Sequence, residues 1–200
     1  MKVIKLKLFK VNSCFAVSIG LILESDPSTV KRFNIPLLEK KDFKGSTTYY
    51  ISPSPFLIIN IGSRVDEQEG IPENIRSCTI NRKDLYFMVR SLTNFYAAFK
   101  KEEAMFFYDA NKHLQVNQSL APKYNFHIPC GQKVVHIGPS VITVDNGSEY
   151  EGCYFAINSL DNHVLLTYSE LGYLIYELSH TNMEALSLQL IQTALLLEHH

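Results

Sequence analysis

The chain has 200 residues, of which 46% are hydrophobic and 20% charged, with nine glycines, eight prolines and four cysteines. These proportions describe one globular domain, or two small units sharing a core, and exclude a disordered, collagenous or disulfide-framework chain. The 19 Lys and Arg against 20 Asp and Glu leave a formal charge of −1, which by itself points to no particular class of partner.

The ends are set aside first. Leu197-Glu198-His199-His200 has the form of a purification tag, and without Glu198 the chain is neutral with five histidines. Lys2, Lys5, Lys7 and Lys10 ahead of the apolar stretch Cys14 to Leu23 raise the question of a signal peptide. Lys5-Leu6-Lys7-Leu8 alternates with period two, however, and no small-x-small cleavage site follows the apolar run. Val3 to Val11 and Phe15 to Glu24 are therefore predicted strands. No apolar run reaches the ~18 residues that a bilayer span needs.

Asp26-Pro27-Ser28 predicts a turn, and residues 29–46 read as irregular and basic. Thr47 to Ser52 and Phe56 to Ile61 are predicted strands, joined by Pro53-Ser54-Pro55 at an edge or corner. Ser63 to Ser77 reads as a long polar loop. Asn81 then caps a helix whose Leu85, Met88, Val89, Leu92, Phe95, Tyr96 and Phe99 recur at helical spacing. Arg82, Lys83, Arg90, Lys100 and Lys101 lie off that face.

Seven further short strands are predicted: Ala104 to Tyr108, His113 to Val116, Tyr124 to Ile128, Lys133 to Ile137, Val141 to Val144, Tyr150 to Asn158 and His163 to Thr167. Asn111-Lys112, Gly131, Asp145-Asn146-Gly147 and Asp161-Asn162 join them as antiparallel hairpins. Ser169 is the predicted cap of a second helix through Leu171, Leu174, Ile175 and Leu178. Thr181 or Asn182 opens a third, from Met183 to about Leu195, whose scarcity of charge calls for burial or self-association. The fold class is α+β: antiparallel sheets of several short strands followed by a helix, arranged twice, plus a C-terminal helix.

Cys14, Cys78, Cys130 and Cys153 contain no C-x-x-C pair and fit reduced thiols of a cytoplasmic protein. The neutral total conceals an asymmetry. Residues 1–101 carry 16 basic and 9 acidic groups, whereas 102–196 carry 3 and 10, so one domain over 1–196 divides into a basic and an acidic pseudo-repeat of net +7 and −7. Such a split is expected of a polyanion-binding half, of an acidic partner-facing half, or of halves that neutralise each other. Pro53-Ser54 with Ile80-Asn81 before the first long helix is echoed by Pro139-Ser140 with Ile157-Asn158 before the second.

This order of elements resembles the tandem plan of the PC4 and whirly family of single-stranded nucleic-acid-binding proteins, four strands and then a helix, over roughly the whole chain. No residue motif of that family is present, so the resemblance is one of topology and implies a β-surface for single strands. The residues suited to it are Lys5 and Lys7, then Lys31-Arg32-Phe33, Lys40-Lys41, Phe43-Lys44 and Tyr49-Tyr50, which interleave cations for phosphates with rings for bases.

His127-x-x-Cys130 and His136, with Asp109 or His113, are zinc-ligand types at a spacing that matches no established site, so no metal or cofactor is expected. No phosphate-binding loop, dinucleotide fingerprint, nucleophile elbow or H-E-x-x-H occurs, and the chain reads as non-enzymatic. Two functions of different class remain. One is a module for single-stranded DNA or RNA, held by the basic half. The other is a viral or mobile-element interaction or inhibitor protein whose Glu149, Glu151 and Asp161 enter a partner's cationic groove. Opposite charges and the last helix make a homo-oligomer the expected state under either.

Overall fold

In the computed structural model, the described residues are 2–24, 40–43, 47–51, 56–62, 76–101, 105–186 and 188–190, with side chains described at 6–20, 56–62 and, apart from the gaps, from 76 onward. The fold is α+β. Antiparallel strands alternating apolar and polar positions make two main sheets and one two-stranded hairpin, and each main sheet is followed by a helix.

The first sheet is built on β1 (Lys2–Asn12) and β2 (Phe15–Glu24), which form a long hairpin. The other flank of β2 is shared. Residues Phe15 to Gly20 pair with β5 (Phe56–Ile61), while Leu23 and Glu24 pair with β4 (Thr47–Ile51), which carries β3 (Lys40–Phe43) on its far side. β6 (Arg76–Ile80) pairs with β5. Thus β1-β2-β5-β6 is a four-strand meander with the β3–β4 hairpin inserted. Helix α1 (Arg82–Lys101) follows, opened by Asn81, whose Oδ1 accepts the Asp84 N–H at 2.9 Å.

The short hairpin of β7 (Phe106–Tyr108) and β8 (Leu114–Val116) leads into a 3₁₀ turn at Ala121–Tyr124. The second meander is β9 (Phe126–Cys130), β10 (Lys133–Thr143), β11 (Glu149–Ile157) and β12 (His163–Thr167), all antiparallel. Helix α2 (Tyr168–His180) follows directly. Residues 183–186 and 188–190 are helical again, with Asn182 Oδ1 accepting from the N–H groups of Glu184 and Ala185 at 3.1 Å each.

Each helix packs on the first strand of the other meander: α1 lies against β9, and α2 against β1. Two edge-on aromatic pairs mark these contacts, Phe95 with Phe126 at 5.6 Å and Phe9 with Tyr173 at 5.9 Å. A third, Phe15 with Phe155 at 4.8 Å, joins the sheets directly. One apolar cluster therefore spans both meanders, both helices and, through Met183 and Leu190, the last helical segment.

Several sequence expectations are corrected. Lys133 to Ile137 and Val141 to Thr143 are parts of one strand, β10, with Pro139 inside it, and Val144 lies just beyond its end. β9 pairs β10 only as far as Ile137, and a flank without a neighbour tolerates the missing proline N–H. β3 lies in a stretch read as irregular, and β6 begins with Arg76 and Ser77 at the end of the predicted loop and runs on to Ile80. Thr167, not Ser169, caps α2, in a capping box with Glu170. Pro139-Ser140 lies within a strand and does not precede one, and Pro53-Ser54 lies outside the described residues.

Candidate nucleic-acid interface

In the first sheet, Val17, Ile19, Leu57, Ile59, Ile61, Cys78 and Ile80 point into the core. The alternate positions belong to the distal face. There the register sets Lys5 opposite Gly20, Lys7 opposite Ser18 and, after a bulge, Lys10 opposite Ala16. The second strand thus lays a floor of small residues beside a row of lysines. Lys7 is exposed, Ser18 and Asn60 are half-buried, and Ile58 between them is buried.

Phe56, opposite Gly20 on β5, lays its ring on that glycine: a Cβ there would meet Phe56 Cε2 at 2.9 Å. Glycine is required by this contact, and the ring stays half-exposed.

The β3–β4 ladder sorts the remaining predicted residues. Lys40 pairs with Tyr50, which pairs with Glu24, so these register positions belong to the same face as Gly20. Lys41 pairs with Tyr49 and Phe43 with Thr47, and these positions belong to the opposite face. Lys5, Lys7, Lys40 and Tyr50 thus share one face, while Lys41, Phe43 and Tyr49 do not. Lys31, Arg32, Phe33 and Lys44 lie outside the described residues.

The second meander repeats the arrangement with different chemistry. Tyr154 stands opposite Gly138 and lies on it, so that a Cβ at Gly138 would meet the tyrosine Oη at 2.6 Å and also Asn125 Oδ1. The hydroxyl donates to Asn125 Oδ1 at 3.2 Å, and burial, then Cys153, raises its pKa, which keeps the proton in place. Two residues along, where the first sheet has Lys7-Ser18-Ile58-Thr79 in register, the second has His127-His136-Ala156-His163. His127 Nδ1 lies 2.8 Å from His136 Nδ1. Burial, and then His127, hold the His136 imidazole below the usual histidine range, so it is neutral near pH 7.

The acidic residues do not form one patch. Glu149 is turned inward, accepting the Leu114 N–H at 2.5 Å and facing His113 Nδ1 at 3.2 Å, and so fastens the β7–β8 hairpin to β11. Glu151 is exposed near that end. Asp161 lies beyond the other end of β11, about 20 Å of strand away, in a turn where it accepts from Ser159 Oγ at 2.7 Å. It lines a cleft of about 550 Å³ together with Arg76, His163 and Cys14.

Of the zinc-ligand types, His127 and His136 come together and the others do not join them. Cys130 is a core residue, three positions from His127 and hence on the other face of β9, and His113 is engaged with Glu149. Among the described residues no three His, Cys, Asp or Glu side chains are grouped to hold a metal ion.

The paired glycine–aromatic contacts and the histidine row escaped the sequence reading. Alternation within a strand assigns faces, but only register tells which residue of another strand lies opposite. Gly20 and Gly138 inside apolar runs were the available signals. Comparison of the chain with protein-family models, with curated proteins and with solved structures gives no match.

Proposed function

We propose that this protein binds single-stranded DNA or RNA on the distal face of its first sheet, without catalysing a reaction. The observation that carries the reading is the row of Lys5, Lys7 and Lys10 along β1, beside a small-residue floor and the half-exposed ring of Phe56. Lysines supply phosphate contacts at no fixed spacing, a ring supplies a stacking surface for an unpaired base, and small residues let the strand approach the sheet.

The element order, a four-strand meander and a helix taken twice, also favours kinship in plan with the whirly-type proteins. Among the described residues no helix is long and apolar enough to cross a membrane.

The test is binding of a labelled single-stranded oligonucleotide at several salt concentrations, for the native chain and for Lys5→Glu/Lys7→Glu. Log K should fall with log salt at roughly −0.7 per neutralised phosphate, and the double variant should bind more weakly with a slope shallower by about 1.4. Binding that is absent at low salt, insensitive to salt, or unchanged in the double variant overturns the reading.

A further inference from the structure

His127 and His136 stand directly opposite each other on β9 and β10. Their ring centroids are 4.8 Å apart with the planes at 80°, and the two Nδ1 atoms are separated by 2.8 Å. At that separation one ring N–H donates to the other ring's nitrogen, the direction depending on the tautomers.

Asn158, with φ at 65°, donates its N–H to the Val134 carbonyl at 2.8 Å and accepts the Val134 N–H on its Oδ1 at 3.0 Å, which ties the end of β11 to β10 beside the pair.

We propose that His127 and His136 form a two-histidine site for a divalent transition-metal ion of the copper(II) or nickel(II) kind, held by the two Nδ1 atoms. Bite distance carries the assignment. With metal–nitrogen bonds of about 2.05 Å, two imidazoles at 90° are about 2.9 Å apart and two at the tetrahedral angle about 3.3 Å. The observed 2.8 Å fits the right-angled case. Right-angled nitrogen and oxygen coordination is the preference of copper(II) and nickel(II), and copper(II) is the tighter of the two at a given site.

Loading requires little. A change of tautomer in whichever ring donates frees both Nδ1 lone pairs for the ion, and the His127 ring is exposed. β10 is held between β9 and β11, so the two ligand positions are set by the sheet and not by a loop. With no third His, Cys, Asp or Glu grouped there among the described residues, water fills the remaining positions, and the pair holds an ion less tightly than a site of three or four protein ligands. His163, in the same row beyond Ala156, has its Nδ1 within 3.0 Å of the Leu160 carbonyl and stands outside the pair.

The experiment uses the full chain carrying His199→Ala and His200→Ala, so that the terminal histidines do not compete. Calorimetry with Cu²⁺, Ni²⁺ and Zn²⁺ should give one ion per chain, with Cu²⁺ tightest, and electron paramagnetic resonance of the Cu²⁺ form should show two coupled imidazole nitrogens. His127→Asn and His136→Ala should each weaken Cu²⁺ binding by more than about tenfold, while His163→Ala should not. Circular dichroism checks the fold, and His127→Asn, an exposed position, decides the matter if His136→Ala unfolds. Failure of the background chain to bind, equal binding by His127→Asn, or a single-nitrogen spectrum each overturns the proposal.

Discussion

Thr167 shows how much one side chain settles locally. Its Oγ1 accepts the Glu170 N–H at 3.2 Å while Glu170 Oε2 accepts the Thr167 N–H at 2.7 Å, so two donors that the helix cannot satisfy are paired reciprocally. Ser169, two positions later, is too far into the first turn to do this. Thr167→Ala should cost about 1 kcal/mol, lowering the melting temperature by about 2–4 °C for a chain of this size, whereas Ser169→Ala should change it little. Calorimetric scans of the two variants distinguish the caps. The cysteines give a second prediction at this scale. Burial pushes the Cys153 thiol far up, and a thiol with raised pKa holds less of the reactive thiolate at any given pH, so its alkylation is delayed to higher pH. Cys14 is half-exposed, whereas Cys78, Cys130 and Cys153 are buried. Iodoacetamide at pH 8 on the folded protein should therefore label Cys14 first, with the other three reacting only after denaturant is added. Peptide mapping by mass reads the order, and early labelling of Cys153 would contradict it.

At the level of elements, the last helical segment had two outcomes open to it, burial or self-association. Met183 and Leu190 are 5% and 1% exposed and belong to the core cluster, with Leu186 packed against it, while Leu188 faces outward. Leu190→Ala should destabilise the fold by about 2–5 kcal/mol, and Leu188→Ala by far less. Truncation after Thr181 should then unfold the chain and not merely lower its mass in solution, which denaturant titration with light scattering would separate. Helices were legible in the sequence because a 3.6-residue apolar period is written along one stretch of chain. α1 buries Leu85, Met88, Leu92, Phe95 and Phe99, all of them on the predicted face. β3 and β6 were not legible, since Lys-Lys-Asp-Phe and Arg-Ser-Cys-Thr-Ile offer too few apolar positions to mark an alternation, and their neighbours in the sheet decide their state. The basic and aromatic candidates were legible as a composition, but their division between two faces depends on the register of β3, β4 and β2, which no local pattern encodes.

For the whole molecule, the two halves share one plan and complete one another. Each has a four-strand meander, a glycine on the second strand under an aromatic ring from the third, and a helix that leaves to cover the other half's first strand. Phe9 with Tyr173, Phe95 with Phe126, Phe15 with Phe155 and Phe99 with Tyr168 all pair rings across the division. Either half alone would expose one side of each pair and leave its helix without the strand it covers, and apolar area at ~25 cal/mol per Å² left in water removes the main force for folding. A chain cut between Lys101 and Glu102 should therefore give two fragments that are each unfolded by circular dichroism and regain the native spectrum when mixed in equal amounts. The same division carries the net +7 and −7 of the two segments, so the fragments should find each other by electrostatic attraction. Their association rate should fall as salt shortens the screening length from about 10 Å at 0.1 M to about 3 Å at 1 M, while the dissociation rate, governed by buried apolar contacts, should change much less. Stopped-flow mixing at graded salt measures both. A cooperatively folded 1–101 fragment, or an association rate indifferent to salt, would show that each meander keeps its own helix and that the opposed charges serve an outside partner instead.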